Sequence, residues 1–318
     1  MDMRHLAFSV ALFFSPWLSA SQQIVYMVSD LRIPFWQIMW GGIENEAKQL
    51  GYEAVVLSAE NDAKTELENI IKAIALKPDG IILSPTNSSA AVTILKMAEQ
   101  ANIPVVISDI GTEGGSFVSY IESDNFSGAF QLAQILAAAM KAKGWQNGEV
   151  GVVAIPQKRK NGIARTEGFV EAAKQQGMRI AAIKQQKDFS YQETFIFTQT
   201  MLREHRKIRA IWLQGSDRYQ AALDAIDSLG QRDKVLLICF DAEPEFIDMI
   251  RSQQLVGSGM QQPFLMGERA MHSLHQFLLG HTVAKEQRLE VLAVSSQNLD
   301  SLLSTIQRNV LGHEGVRQ

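Results

Sequence analysis

Short, β-branched apolar runs alternate along this chain with stretches whose apolar residues recur at helical spacing, and that beat leaves few folds open. Residues 24–29, 54–59, 80–85, 105–108 and 118–122 read as strands. Between them lie a helix running from Phe35 through Ile38, Met39, Ile43 and Ala47, a second at 64–76, and a third at 88–101 with Ser88 as candidate cap. Parallel strands need a crossover long enough to hold a helix, so the alternation predicts an α/β fold with a doubly wound parallel sheet. One such sheet is complete by about residue 123. The beat then restarts, with helices at 128–143, 163–176, 191–205, 221–229 and 245–253 and strands at 150–155, 179–184, 210–214 and 235–240. This is a second unit of similar size. A strand at 255–260, a helix at 265–279 and a last strand at 289–295 have no second-half partners, so the chain is expected to cross back. At 318 residues with 46% hydrophobic composition, length favours two cores. From about Ser301 the chain is polar, and part of it is expected to be loosely held.

Open α/β sheets hold ligands at the carboxyl ends of their strands. There the sequence places Phe35 and Trp36, Asp109, Phe189, Asp241 and Gln261, with Arg165 joining from the first turn of its helix. Each also has a plainer reading. Phe35 and Trp36 staple a helix start to the core, Asp241 caps the helix after Pro244, and Arg165 pairs with Glu167 or a surface carboxylate. Together they form a coherent set: aromatic faces for apolar ring surface, and planar polar groups for hydroxyls. That is the inventory of a carbohydrate site.

Several classes are disfavoured. The net charge is −4, from 30 basic and 34 acidic residues that are interspersed, so no stripe tracks a nucleic-acid backbone. Lys158, Arg159 and Lys160 are the densest basic cluster and read as a solvated loop. The single Cys239 lies in an apolar strand and reads as a core thiol. His272 and His275 share a helix face without an acidic or cysteine third ligand, so no metal is expected, and nothing calls for a cofactor. Asp109 and Asp241 are a conceivable carboxylate pair, but no spacing sets them across a scissile bond, and an enzyme is not expected. Residues 1–21 have the parts of a cleaved export signal: Arg4 and His5, an apolar stretch at 6–18, and small residues at 19–21. An uncleaved anchor is the alternative. No later stretch has the length of a membrane helix.

The sequence also resembles the ribose-type periplasmic sugar-binding proteins, the type I solute-binding family of ABC importers. The resemblance runs from about Ile24 to Val294. Its marks are SDLRIPFW from Ser29, KPDGIILSPTNSSA from Lys77, ANIPVVISD from Ala101 and ESDN from Glu122, then ARTEGF from Ala164, KDF from Lys187, FDAEPE from Phe240 and GMQQP from Gly259. It implies two doubly wound lobes joined by a three-strand hinge. The amino-terminal lobe would be 24–123 plus 263–291 and the carboxy-terminal lobe 124–261 plus 292–300, leaving 301–318 as a polar tail. It implies ligand-binding roles for Phe35, Trp36, Asp109, Arg165, Phe189, Asp241 and Gln261. Three positions depart from the ribose pattern: Ile33 and Gly215 stand where asparagines are expected, and Ile110 where an arginine is. Each change removes hydrogen-bonding capacity, so either Gln214, Ser216, Asp217 or Arg218 supplies substitute contacts or the ligand is less hydroxylated than a pentose.

The expected function is therefore an exported, monomeric, periplasmic protein that captures a small sugar-like ligand and hands it to an inner-membrane ABC permease. The alternative keeps the fold and changes the output, a sensor that signals to a membrane-bound kinase or cyclase. A transcription regulator with this fold would carry a helix-turn-helix where the export signal stands.

Overall fold

A computed structural model describes residues 22–313, so the export signal read at 1–21 lies outside the described residues. The first half runs β1 (Gln23–Val28), α1 (Pro34–Leu50), β2 (Glu53–Ser58), α2 (Ala63–Leu76), β3 (Gly80–Ser84), α3 (Ala90–Gln100), β4 (Val105–Ser108) and β5 (Ser119–Ser123). The second runs α4 (Asn125–Ala142), β6 (Glu149–Ala154), α5 (Lys160–Gln175), β7 (Arg179–Gln185), α6 (Tyr191–Glu204), β8 (Ile208–Leu213), α7 (Tyr219–Ser228), β9 (Leu236–Phe240), α8 (Phe246–Arg251) and β10 (Gly257–Met260). Then come α9 (Pro263–Leu278), β11 (Glu286–Leu289), β12 (Leu292–Ser295), α10 (Leu299–Thr305) and a π-helical turn at Ile306–Val310.

These elements build two six-stranded sheets, ordered β11-β5-β4-β3-β1-β2 and β12-β10-β9-β8-β6-β7. The orders match position for position, so β1 corresponds to β6, β4 to β9 and β5 to β10. Every pairing is parallel except β10 with β12. Helices cover both faces of each sheet, which is why β3, β4 and β6 are apolar and buried along their whole length. The chain passes between sheets after β5, after β10 and between β11 and β12.

Two local expectations change. The stretch read as one strand at 289–295 is two, β11 in the first sheet and β12 in the second. Leu289 packs partly buried against the first-lobe core while Val291, Leu292 and Val294 are buried in the second, so apolar residues stand on both sides of exposed Glu290 and periodicity does not register the break. Ser88 is not the cap of α3: Asn87 Oδ1 accepts from Ala90 N at 2.8 Å, while Ser88 Oγ accepts from Lys160 N of the other lobe at 3.1 Å. The polar tail is helical through Val310, with Leu299, Ile306, Val310 and Leu311 buried in the core of the second lobe. Its apolar residues are sparse but fall on one face, and residues 314–318 lie outside the described residues.

Each lobe clamps one helix pair without side chains between them. A Cβ on Gly42 of α1 would stand 2.1 Å from Phe264 O of α9, and one on Gly168 of α5 would stand 2.2 Å from Phe126 O of α4.

Candidate functional site

Asp109 directly follows β4 and Asp241 directly follows β9, the corresponding strand of the other lobe. Both take left-handed backbone, φ 64° and 67°, which a side chain rarely adopts. Each is held there by the adjacent strand: Asp109 N donates to Ile121 O and Asp241 N donates to Gly259 O, both at 2.9 Å. Tyr120 Oη also donates to Asp109 O at 2.8 Å. The two carboxylates thus leave their sheets by the same turn and meet in the cleft between the lobes. Local strain of this kind concentrates at functional sites.

Aromatic groups close the sides. Ile33 is the extended N-cap of α1 and Pro34 its first residue, which sets Phe35 and Trp36 in the opening turn. Their rings meet edge to face at 4.9 Å and 88°. Trp36 is buried against the amino-terminal core while still lining the cleft, so stapling the helix start does not remove its ring from the cavity. Opposite stands Phe189, another left-handed residue at φ 50°. Ser190 Oγ caps α6 by accepting from Glu193 N, and the Glu193 carboxylate accepts from the backbone N–H groups of Lys187, Asp188 and Phe189. This capping cluster holds the Phe189 turn in shape.

Arg165 sits in the second turn of α5, since that helix starts earlier than its apolar pattern suggests. It is 2% exposed. Its Nε donates to Asn125 Oδ1 at 2.8 Å and its Nη1 to Gln214 O at 2.6 Å, with Asp241 Oδ2 at 3.5 Å. Its guanidinium lies 4.0 Å from the Phe240 ring centroid.

The basic cluster at 158–160 is not simply a solvated loop. Lys158 and Lys160 are exposed, but Arg159 is 6% exposed and crosses the cleft. Its Nε donates to Thr86 O at 3.0 Å, and its Nη2 to Ser29 Oγ at 3.1 Å and Asn61 Oδ1 at 2.7 Å. Glu66 fixes this receptor by accepting from Thr86 N and Thr86 Oγ1, both at 2.8 Å. Asn161 adds a further crossing bond, donating from Nδ2 to Asp109 Oδ2 at 3.0 Å. Position held the missed signal: Arg159 is the N-cap of α5 as Ile33 is of α1.

All seven sequence-selected residues line one cavity of ≈ 50 Å³, together with Ile33, Ile155, Arg159, Asn161, Gly215 and Asp217. At about 10–15 Å³ per enclosed water this accommodates a few oxygen-sized groups. Larger grooves exist, one of ≈ 680 Å³ beside α9 around Glu46, Glu268 and His272. The small cleft is distinguished by its chemistry. Asp109 Oδ1 and Gln261 Oε1 are buried with no hydrogen-bond partner among the described residues, while Gln261 Nε2 donates to Asp241 Oδ1 at 2.6 Å. Burial pushes Asp109 up to about 6, with Arg165 opposing and Asp241 reinforcing that rise. Burial likewise raises Asp241, against Arg165 and Gln261, and depresses Arg159 to about 10. Among the described residues no set of three or more His, Cys, Asp and Glu is placed to hold a metal ion.

A family model described as periplasmic binding protein domain matches residues 24–282. The chain belongs to that family. The ribose import binding protein of Bacillus subtilis (strain 168) is 30% identical over 259 residues, covering 81% of this chain and 82% of the relative. That of Escherichia coli (strain K12) is 29% identical over 303 residues, covering 93% and 100%. A carbohydrate transporter solute binding protein from Agrobacterium radiobacter, solved with D-arabinose, superposes with a TM-score of 0.83 at 24% identity, covering 92% of this chain and 99% of that one.

Within this periplasmic binding protein the three departures from the ribose pattern fall in different places. Ile33 and Gly215 line the cavity. Ile110 does not; it is fully buried in the amino-terminal core beside Trp36. Of the four proposed substitutes only Asp217 lines the cavity. Gln214 is turned inward, accepting from Ile155 N and donating to Thr166 Oγ1; Ser216 Oγ donates to Glu243, and Arg218 Nε donates to Phe189 O.

Proposed function

We propose that this chain captures a small sugar or sugar-like ligand between its two lobes and delivers it to an ABC importer of the inner membrane. One observation carries the reading. Asp109 Oδ1 and Gln261 Oε1, in a cavity flanked by Phe35, Trp36 and Phe189, are buried acceptors without hydrogen-bond partners among the described residues. Leaving such atoms unpaired costs roughly 1–3 kcal/mol each, and ligand hydroxyls reaching both would recover it only in the closed form. In this reading the aromatic rings hold the sugar's apolar faces, while Asp109, Arg165, Asp241 and Gln261 bond its hydroxyls. The protein works in the periplasm as a monomer after losing residues 1–21.

The relatives are named as import binding proteins, which favours delivery over the sensor output and binding over catalysis. Titration calorimetry of the mature protein with D-ribose, D-arabinose, D-allose and myo-inositol tests the proposal. Saturable heat with at least one of them is expected, and a raised melting temperature should accompany it. A ligand at a hundred times its dissociation constant adds about 2.7 kcal/mol. No heat and no thermal shift with any of the four would overturn the sugar reading.

A further inference from the structure

Beyond Asp109 and Asp241 the cavity has one further carboxylate, that of the candidate substitute Asp217, in the loop at the carboxyl end of β8. Its neighbour Gly215 explains how it gets there. A Cβ at Gly215 would have 3.6 Å to Asp217 Oδ1 and 3.9 Å to Ile155 Cγ2 as its nearest contacts, so a longer side chain would compete for the volume Asp217 uses. Glycine leaves that volume to the carboxylate two residues on.

Asp217 is also chemically unfinished. Its side chain is 12% exposed, and Oδ2 has no hydrogen-bond partner among the described residues. Arg218 Nη1 approaches Oδ2 to 3.1 Å but donates instead to Asp217 O at 2.8 Å. Arg218 Nε is committed to Phe189 O at 2.7 Å, so the arginine ties the aromatic wall to the Asp217 loop. Asp109 Oδ1 and Gln261 Oε1 have no hydrogen-bond partner among the described residues, and Asp217, whose Oδ2 has only the ion pair with Arg218, lines the same cavity as a third acceptor group.

We infer that Asp217 is a specificity-determining ligand contact that replaces an amide at position 215, accepting one hydroxyl of the bound sugar. This rests on the sugar-binding reading and sharpens it. An amide offers both a donor and an acceptor, whereas a carboxylate only accepts. The protein therefore selects a ligand that presents a free hydroxyl, not an ether or ring oxygen, at this corner. A site built around a hydroxyl discriminates strongly against the analogue lacking it, because its own acceptor is then left unpaired.

The test is a cycle between Asp217→Asn and monodeoxy analogues of whichever of D-ribose, D-arabinose, D-allose and myo-inositol binds the intact protein most tightly. Asp217→Asn should weaken the parent sugar by about tenfold to a hundredfold. For one deoxy analogue the substitution should make no difference, because the partner hydroxyl is already gone. Equal weakening of every analogue would mean that Asp217 only shapes the loop, and would overturn the inference while leaving sugar binding intact. Unchanged affinity in Asp217→Asn would overturn it in the same way. Failure of the intact protein to bind any of the four would overturn both readings together. As a second arm, Gly215→Asn should displace the carboxylate and change the rank order of the four ligands; an unchanged order overturns the replacement.

Discussion

Arg159 Nη2 reaches 2.7 Å from Asn61 Oδ1 across the cleft, joining the N-cap of α5 to the left-handed turn after β2. With Ser29 Oγ and Thr86 O it gives the closed form three protein-to-protein bonds that involve no ligand. Burial depresses Arg159 to about 10, which still leaves it charged at neutral pH. The fork geometry matters, because one guanidinium serves three separate acceptors.

Arg159→Ala should therefore shift the unliganded protein toward an open form. Small-angle scattering should record a larger radius of gyration, and affinity should fall about tenfold or more through the lost closed population. Arg159→Lys should not restore compaction, since one ammonium cannot span the three acceptors. An unchanged radius of gyration in Arg159→Ala would remove the latch.

Asp109 sets a pH dependence whose sign is opposite to that of an ordinary salt-bridged carboxylate. Its folded value of about 6 lies above the unfolded reference of about 3.9. Between those values the folded state holds the extra proton, so this group makes the protein less stable as pH rises from 4 to 6, by about 1.4 kcal/mol per unit at most. Above 6 the penalty is constant, and below 4 it is absent. The facing groups are Arg165, Asp241, Arg159 and Asn161. Asp109→Asn should flatten that part of the stability profile in chemical denaturation between pH 4 and 7. Parallel profiles for the two proteins would contradict the assignment.

The strand-and-helix beat made both sheets legible, because a buried parallel strand and an amphipathic crossover leave unmistakable apolar periods. The site was legible where a residue directly follows a strand, as Asp109, Asp241 and Gln261 do. Arg159 was not, because its charge reads as solvation until the opposite lobe supplies Ser29, Asn61 and Thr86 more than sixty residues away. Long-range pairing of this kind leaves no local pattern. The tail's packing was not legible for a similar reason: Ile306 and Val310 are apolar residues among polar ones, and only the core of the second lobe gives them a place.

That packing yields a prediction. Ending the chain after Asp300 removes Ile306, Val310 and Leu311 from the second-lobe core and the Arg308–Glu268 ion pair that ties the tail to α9. Losing one buried large aliphatic side chain costs about 2–5 kcal/mol. The truncated protein should melt at least several degrees lower, or fail to accumulate in soluble form. A melting temperature equal to that of the full chain would show the tail to be dispensable.

Ile33 offers the reverse experiment. It is the N-cap of α1 with extended backbone, φ −90° and ψ 126°, and it makes no side-chain cap bond. It is half-buried and lines the cavity. An asparagine here has two separate uses: Oδ1 can accept a free N–H of the first turn, and Nδ2 can donate into the cleft. Aspartate has only the first. Ile33→Asn should raise stability by about 0.5–1 kcal/mol, less whatever apolar burial Ile33 gives up, and tighten D-ribose by about tenfold. Ile33→Asp should match the stability gain without the affinity gain, because it adds another acceptor to a cavity already rich in them. If both variants tighten D-ribose equally, the cleft is short of charge and not of donors, and the account of Asp109, Gln261 and Asp217 as acceptors awaiting a donor-rich ligand fails.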